Sequence, residues 1–552
     1  MYCGDETGSF IGELTSSSCR FGYGGEDCPK SVLSSYMYRD GTIPTSTNHC
    51  AFLNNFKNEN ENKDDQDIVP IFQPYPQSQS NAKCKSSTDP NDFLNNGLIE
   101  NYDAWENTWH KAFHQLNVGT RNKHTKGGIK INTKRIYSSG VSSSHIKNDE
   151  NDSSVEIGEL MHPILAIDHG YTHLAEAGTG QKYVNATIQK QKNTMLEILY
   201  ESLSAPATFI APAPMLASFG NGRQTSLVVD IGAGGTRVTP VVDGMILQQA
   251  QRRNGRGGDW LAAVQEQVAG EMSKGKEVLP RYAIGLDGKS LEKAHKSVFH
   301  QVAVRDCMYE MKTAPHMAGV TLYRNDEWTI PFFKEYGESE LTDESNIGDA
   351  KESTSNVAEK MDVDEEEQGS GEDNDDSDEE ESYDVKCKRY YELPDGTRVN
   401  FQTSKNGQDL CRLNELLFTS ELPFLSSKGP VENTKLSSPS TLSDLPIHEL
   451  IKDSLSAVSD ADIRKELCGN IILTGAASLV PNIEQRLSLE TQHLMPGMYK
   501  CRLIATRNTI ERRYASWIGG SVLSSLGSFQ QLWLSKKEYE EYGMTLASQR
   551  FP

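Results

Sequence analysis

Short apolar runs bounded by glycine, proline and hydroxyl residues recur along the chain, and each predicts a strand. The clearest is Leu227-Val228-Val229, which ends at Asp230. Gly232, Gly234 and Gly235 then allow a tight turn, Val238 to Val242 read as the return strand, and Asp243-Gly244 is a second turn signal. Ser9 to Leu14 and Cys19 to Tyr23 repeat this plan around a hydroxyl-rich turn from Thr15 to Ser18. The two hairpins are either two related halves facing one ligand or a coincidence of short motifs. Further strands are predicted at His162–Ile167, Thr208–Ala211, Gly469–Gly475 and, briefly, Ile68–Phe72, with a hairpin turn at Tyr390–Gly396.

Helical periodicity lies between these runs. From Asp92 to Leu116, Tyr102, Trp105, Trp109 and Phe113 recur at three- and four-residue steps and make one aromatic stripe, which reads as core. Asn185 is placed to cap a helix with Ile188, Met195, Leu196, Leu199 and Leu203 on one face. Trp260–Met272, Leu291–Met311, Leu445–Ser456 and Asp460–Leu467 are helical, and Pro481 opens a helix with Ile483 and Leu487 inward. Pro214 is tolerable only in a first helical turn. Trp517–Leu526 is a small-residue helix able to pack closely on a neighbour, and Arg252–Asp259 reads as a flexible loop. Strands interspersed with helices make the chain α/β.

Three polar tracts interrupt this pattern, and they explain why apolar content is only 36% in 552 residues. Asn54–Pro90 is rich in Asn, Lys, Asp, Gln and Ser, and Asn117–Glu159 in Ser, Asn and Gly. Glu338–Val385 holds 21 Asp and Glu against two Lys, a charge of −19, so the rest of the chain carries −3 of the total −22. Such tracts bury too little apolar surface to fold alone. The ten cysteines form no Cys-x-x-Cys pair, which suits free thiols in a reducing compartment. The first residues lack the basic and apolar regions of a signal peptide, and no run approaches the roughly 20 apolar residues that span a bilayer. The expectation is a nuclear or cytoplasmic protein without a membrane partner.

The chemistry suggested by these patterns centres on Asp230. A strand, a glycine-rich turn and a return strand can cradle phosphate in backbone N–H groups, and the aspartate can face a metal through water; the bland alternative is an ordinary hairpin. Arg121–Arg135 carries six Lys and Arg and no acid, which fits either a nuclear-import or nucleic-acid patch or a solvated insertion, leaving direct DNA binding open.

Several longer stretches resemble actin. Gly22–Pro29 looks like the loop after actin's first phosphate hairpin, and the Asp230 hairpin looks like its second. Tyr391–Gly396, Asp462–Leu467, Leu473–Gly475, Trp517–Ser521 and Phe529–Trp533 follow in the actin order. Gly-Glu-Asp-Cys-Pro-Lys at Gly25–Lys30, Glu511-Arg-Arg-Tyr514 and Ser524–Gln531 are similar to the nuclear actin-related proteins of the fourth class. The resemblance implies an actin-like ATPase fold: two lobes of duplicated βββαβα plan around a nucleotide cleft, with long polar and acidic insertions. It implies a first subdomain from 1–35, 92–220 and 515–552 (with a basic, Ser-rich insertion about 118–160) and a second from 36–91. The third would comprise 221–256 and 440–514, and the fourth 257–439, holding the acidic insertion 338–385.

The resemblance also implies a site. Nucleotide contacts fall on Ser16, Ser17, Arg20, Asp230, Gly232, Gly234, Gly257, Asp259, Gly475 and Arg513, with Asp230 facing magnesium through water. The family's water-positioning glutamine and histidine correspond to Ala213 and Arg237, and a further aspartate to Ala233. Glu13, Thr15 and Ser17 also depart from the family's first loop, Gly258 from its Gly-Arg-Asp motif and Ala476 from its second glycine. Alanine has no polar group and arginine only donates, so neither replaces an imidazole in relaying a proton. ATP bound without turnover is therefore expected, with an empty cleft as the alternative. Class members scaffold chromatin-remodelling and histone-acetyltransferase complexes. They pair with nuclear actin on a long helicase/SANT-associated helix of the remodelling ATPase, across a groove that here involves Trp517–Gly520 and Ala217–Gly222. The acidic tract suggests histone binding, and Ser377 within it is a candidate phosphorylation site.

Overall fold

Phe10 to Leu14 are all buried, because strand β1 (Phe10–Leu14) lies inside a sheet covered on both faces. A computed structural model of the chain describes residues 8–38, 68–70, 99, 101–118, 160–170, 181–272, 278–286, 288, 291, 298–312, 320, 390–400, 413–419 and 445–551. These belong to one compact unit, Met1–Arg324 with Arg389–Pro552. Most of the three polar tracts, including Ser377 and the whole of 338–385, lies outside the described residues.

The first part of the chain supplies β1, β2 (Ser18–Tyr23), β3 (Ser31–Ser34), β4 (Tyr36–Tyr38) and β5 (Ile68–Pro70). Helix α1 (Tyr102–Gln115), β6 (Ile164–Asp168), α2 (Gln181–Glu197), β7 (Ala207–Pro212) and α3 (Ala213–Gly220) follow. The second part supplies β8 (Ser226–Ile231), β9 (Thr236–Val242), β10 (Met245–Ile246), β11 (Arg252–Asn254), α4 (Gly258–Met272) and α5 (Val298–Lys312). It continues with β12 (Tyr390–Glu392), β13 (Arg398–Asn400), α6 (Ile447–Ala457), α7 (Ala461–Gly469), β14 (Ile471–Thr474), α8 (Ile483–Leu494) and β15 (Leu503–Ile504). The chain then returns to the first sheet through α9 (Thr509–Arg513), α10 (Ala515–Ser525), β16 (Leu534–Ser535) and α11 (Lys536–Arg550).

The two large sheets repeat one plan. In the first, β1, β2 and β3 pair antiparallel in sequence, and β6 and then β7 add parallel on the other side of β1. In the second, β8, β9 and β10 form the antiparallel run, and β14 and then β15 add parallel beside β8. Asp243 and Gly244 both have positive φ, 51° and 77°, the geometry of a two-residue hairpin turn between β9 and β10.

Alternation along β1 divides the first core. Phe10 faces the α1 stripe, where Trp105, Trp109 and Phe113 are buried with Phe21; Ile11 faces Leu165, Leu216 and Trp517 on the other side. Trp517 is fully buried, so it is core and not contact surface. Helices α3 and α10 cross closely over this second face. A Cβ on Gly519 would lie 1.8 Å from the Leu216 carbonyl oxygen, so the approach demands a glycine. Ala217 of α3 and Ala515 of α10 also pack against Val228 and Val241 of the second sheet, so the pair bridges both sheets.

Several predicted boundaries move. The aromatic helix starts at Tyr102, where the Asn101 side chain accepts from the Ala104 amide. Asn185 is interior to α2 and not its cap, because Gln181, Lys182 and Tyr183 extend the helix with ordinary helix formers. The loop expected at Arg252–Asp259 holds strand β11, which pairs with β9, and the first turn of α4. Edge pairing with a distant strand leaves no local signal. Pro214 sits in the first turn of α3 behind an N-cap Pro212, as its ring requires.

Candidate functional site

The two hairpin turns close differently. In the first, the Thr15 hydroxyl donates to the Ser18 carbonyl at 2.8 Å and accepts from the Ser18 amide at 3.2 Å, while the Thr15 amide donates to the same carbonyl. That leaves Ser16 and Ser17, both half-buried, at the tip. In the second, the Gly232 amide donates to Gly235 O at 3.0 Å. Gly232 therefore lines the site without a free amide, contrary to its expected role; Gly234 lies at the tip.

Asp230, the penultimate residue of β8, lies between Arg237 on β9 and Thr474 on β14. Gly475 follows with φ of 96°, and a Cβ there would meet Ile231 O at 2.4 Å and Asp230 Oδ1 at 2.5 Å. The glycine lets the carboxylate lie against the backbone after β14. Its amide donates to Arg512 O at 3.1 Å.

Opposite Asp230 is a buried ionic cluster that the sequence patterns did not foretell. Glu13 is fully buried, yet its carboxylate has three partners. Arg20 Nη1 donates to Oε2 at 2.8 Å; His169 Nε2 and the Ser516 hydroxyl are hydrogen-bonded to Oε1 at 3.0 and 2.8 Å. Burial alone would raise the carboxyl pKa, but the Arg20 charge and the His169 contact outweigh it and hold it at about 2, against an ordinary 4.5. Arg20 is thus engaged by an internal carboxylate, which qualifies its expected role as a free phosphate ligand. Its guanidinium also lies 4.8 Å from the centre of the Tyr514 ring, and exposed Arg513 lies 5.7 Å from that ring. From the second sheet, Arg237 Nη1 donates to the His169 carbonyl at 3.1 Å and ties the two sheets across the space.

Around this space stand Ser16, Ser17, Arg20, Asp230, Gly232, Gly234, Gly475 and Arg513, joined by Glu13, His169, Arg237, Thr474 and Ser516. Ala213 lines the adjoining recess with Asp230 and Arg237. Gly257 and Asp259 do not line the space. They sit behind the second turn, where the Gly258 and Asp259 amides donate to Gly232 O and Ala233 O, both at 2.9 Å. The Asp259 carboxylate accepts from the Tyr309 hydroxyl and has Arg305 Nη1 at 3.9 Å. These two residues support the turn from behind.

A family model for actin matches residues 4–552. The chain belongs to the actin family. Its relatives include Actin-related protein 4 of Arabidopsis thaliana, 27% identical over 553 residues and covering both chains completely. Actin-related protein 4 of Oryza sativa subsp. indica is 28% identical over 563 residues, again covering both completely. That of Yarrowia lipolytica is 27% identical across 98% of this chain and 95% of its own. The similarity to fourth-class members of the actin family therefore runs end to end, and the repeated sheets are those of the actin fold.

The donors on this actin scaffold suit an anion. Ser16 and Ser17 offer hydroxyls, Arg513 is exposed, and Arg20 Nε is buried without a hydrogen-bond partner. For a cation the set is poorer: Glu13 is taken up by its own cluster, leaving Asp230, which could act through water. Among the described residues no group of three or more His, Cys, Asp or Glu could hold a metal directly. No described helix is long and apolar enough to cross a membrane. His169 and Ser516 were not anticipated, although His169 follows the C-terminal end of a parallel strand, where α/β folds place ligand groups.

Proposed function

We propose that this actin-family chain is a non-catalytic nuclear subunit that scaffolds chromatin-remodelling and histone-acetyltransferase complexes, pairing with nuclear actin on a helix of the remodelling ATPase. The observation that carries the non-catalytic reading is Arg237. It stands where the family orients water, and its guanidinium is turned to the His169 carbonyl. Its neighbour Ala213 contributes a methyl group to the same recess. Neither can accept a proton from an attacking water. ATP held by Ser16, Ser17, Arg20 and Arg513 would serve as a clamp between lobes, adding about 2.7 kcal/mol of stability at a hundredfold excess over its dissociation constant.

Titration of the purified protein with ATP, alongside phosphate release, tests this. Saturable binding with release no faster than the buffer blank is the expected result; turnover comparable with actin's removes the non-catalytic reading. Pelleting after magnesium and ATP are added would instead support a filament-forming ATPase.

The acidic tract at 338–385 supports histone binding as a second part of the same role, since its −19 charge attracts basic tails most strongly at low salt. Deleting 338–385 is expected to weaken histone binding measured at low ionic strength. Equal affinity for the full and deleted chains would reduce the tract to a solvated insertion.

A further inference from the structure

Away from the cleft, two cysteines 33 positions apart meet at the end of the second sheet. Cys468, fully buried, lies in the last turn of α7, and Cys501 precedes β15. The amide of Arg502, the residue after Cys501, donates to the Cys468 carbonyl at 2.9 Å, and Ile471 N donates back to Arg502 O at 3.0 Å. The two backbones therefore run side by side, which brings the two cysteines together. Cys501 is held in place: its amide donates to Gln492 Oε1 at 2.9 Å, and Gln492 Nε2 donates to Tyr499 O at 3.1 Å.

The two sulfurs are not equivalent. Cys501 is half-buried and open to small reagents, whereas Cys468 is closed off. The neighbouring Cys468 holds the Cys501 thiol below the usual range, and the same pairing, with burial, pushes Cys468 well above it. Arg464, one turn before Cys468, adds positive charge nearby. Cys19 and Cys307 differ: burial pushes the first up to about 12 and the second up to about 11. An accessible thiol favoured as thiolate beside a second thiol is the arrangement of a peroxide-reactive pair.

We propose that Cys501 and Cys468 form a reversible redox site that closes to a disulfide when it meets a peroxide. The Cys501 thiolate attacks one peroxide oxygen, the O–O bond breaks, and the departing hydroxide takes a proton to become water. The Cys501 sulfenic acid is then attacked by the Cys468 sulfur; the S–O bond breaks, an S–S bond forms, and a second water leaves. Two thiols are oxidised by two electrons, and one peroxide is reduced to two waters. In a reducing compartment, thiol exchange returns the pair to the free state. The closed loop contains β14 with Thr474, Gly475 and α8, so oxidation tethers the strand that carries Gly475 to Asp230.

The test uses the full native chain and hydrogen peroxide at one equivalent. Non-reducing peptide mapping should recover the Cys468 and Cys501 peptides joined and lighter by two hydrogens, a link that dithiothreitol reverses. The oxidised chain should melt a few degrees higher than the reduced one, because the crosslink restricts the unfolded chain. Cys501→Ser should abolish the link, while Cys468→Ala should leave Cys501 trapped by dimedone as the sulfenic acid. The proposal is overturned if native protein yields no 468–501 link while exposed Cys28 is consumed, or if dimedone labels Cys501 in the wild type as fully as in Cys468→Ala.

Discussion

Glu13→Gln is expected to lower stability at neutral pH by about 3–5 kcal/mol, the typical effect of removing one member of a buried ion pair. The substitution leaves the Arg20 guanidinium buried against a neutral amide, with His169 and Ser516 sharing what remains. Glu13 ionises near 2 in the fold and at an ordinary 4.5 in the unfolded chain. A depressed carboxyl pKa gives stability that is complete above 4.5 and is lost as pH falls from there towards 2. That loss is worth about 3 kcal/mol, and exposure to solvent does not discount it because the group is fully buried. Urea denaturation at pH 7 should show the lower midpoint of the variant. Repeated between pH 5 and pH 3, it should show a steeper decline for the wild type than for Glu13→Gln. Superimposable pH profiles would mean that the cluster contributes no net electrostatic stability.

Gly519→Val should be comparably damaging for a steric reason. The new Cβ would fall 1.8 Å from Leu216 O and 2.5 Å from Leu216 C, and both are backbone atoms that no rotamer change can move. Helices α3 and α10 must separate, opening the contact that joins Ala217 and Ala515 to Val228 and Val241 of the second sheet. Overpacking of this kind costs about 1–3 kcal/mol, and a clash with backbone atoms lies at the upper end of that range. Gly527→Ala, where nothing lies within 4 Å of the added carbon, should stay within about 0.5 kcal/mol of wild type. Thermal melts of the two variants decide the matter: equal melting temperatures would show that the α3–α10 contact relaxes freely.

Both predictions rest on distant contacts, which marks how far the residue pattern can be read. The strand at Leu227–Val229, the Asp243-Gly244 turn and the α1 stripe depend on neighbours a few positions away, and all three appear where the pattern places them. The roles of single side chains in the cleft were less legible. The resemblance gives Arg20 as a nucleotide contact, and in the fold it is also bound to Glu13 seven residues earlier, across the same hairpin. Gly257 and Asp259 read as cleft residues, and the amides of Gly258 and Asp259 also brace the Gly232–Gly235 turn from behind, a contact with no signal in the local pattern.

By itself the sequence determined the two hairpins, the aromatic helix, the polar tracts and the actin plan, because strand periodicity, turn chemistry and net charge are local properties. Tertiary structure decided which polar groups meet. Ser516 reaches Glu13 across 503 positions, and Arg237 reaches the His169 carbonyl across 68. Parallel pairing of β6 with β1 sets His169 beside Glu13, and the return of α10 to the first sheet brings in Ser516. Partners so far apart along the chain leave no spacing to recognise. Their meeting is a consequence of closing two sheets around shared helices.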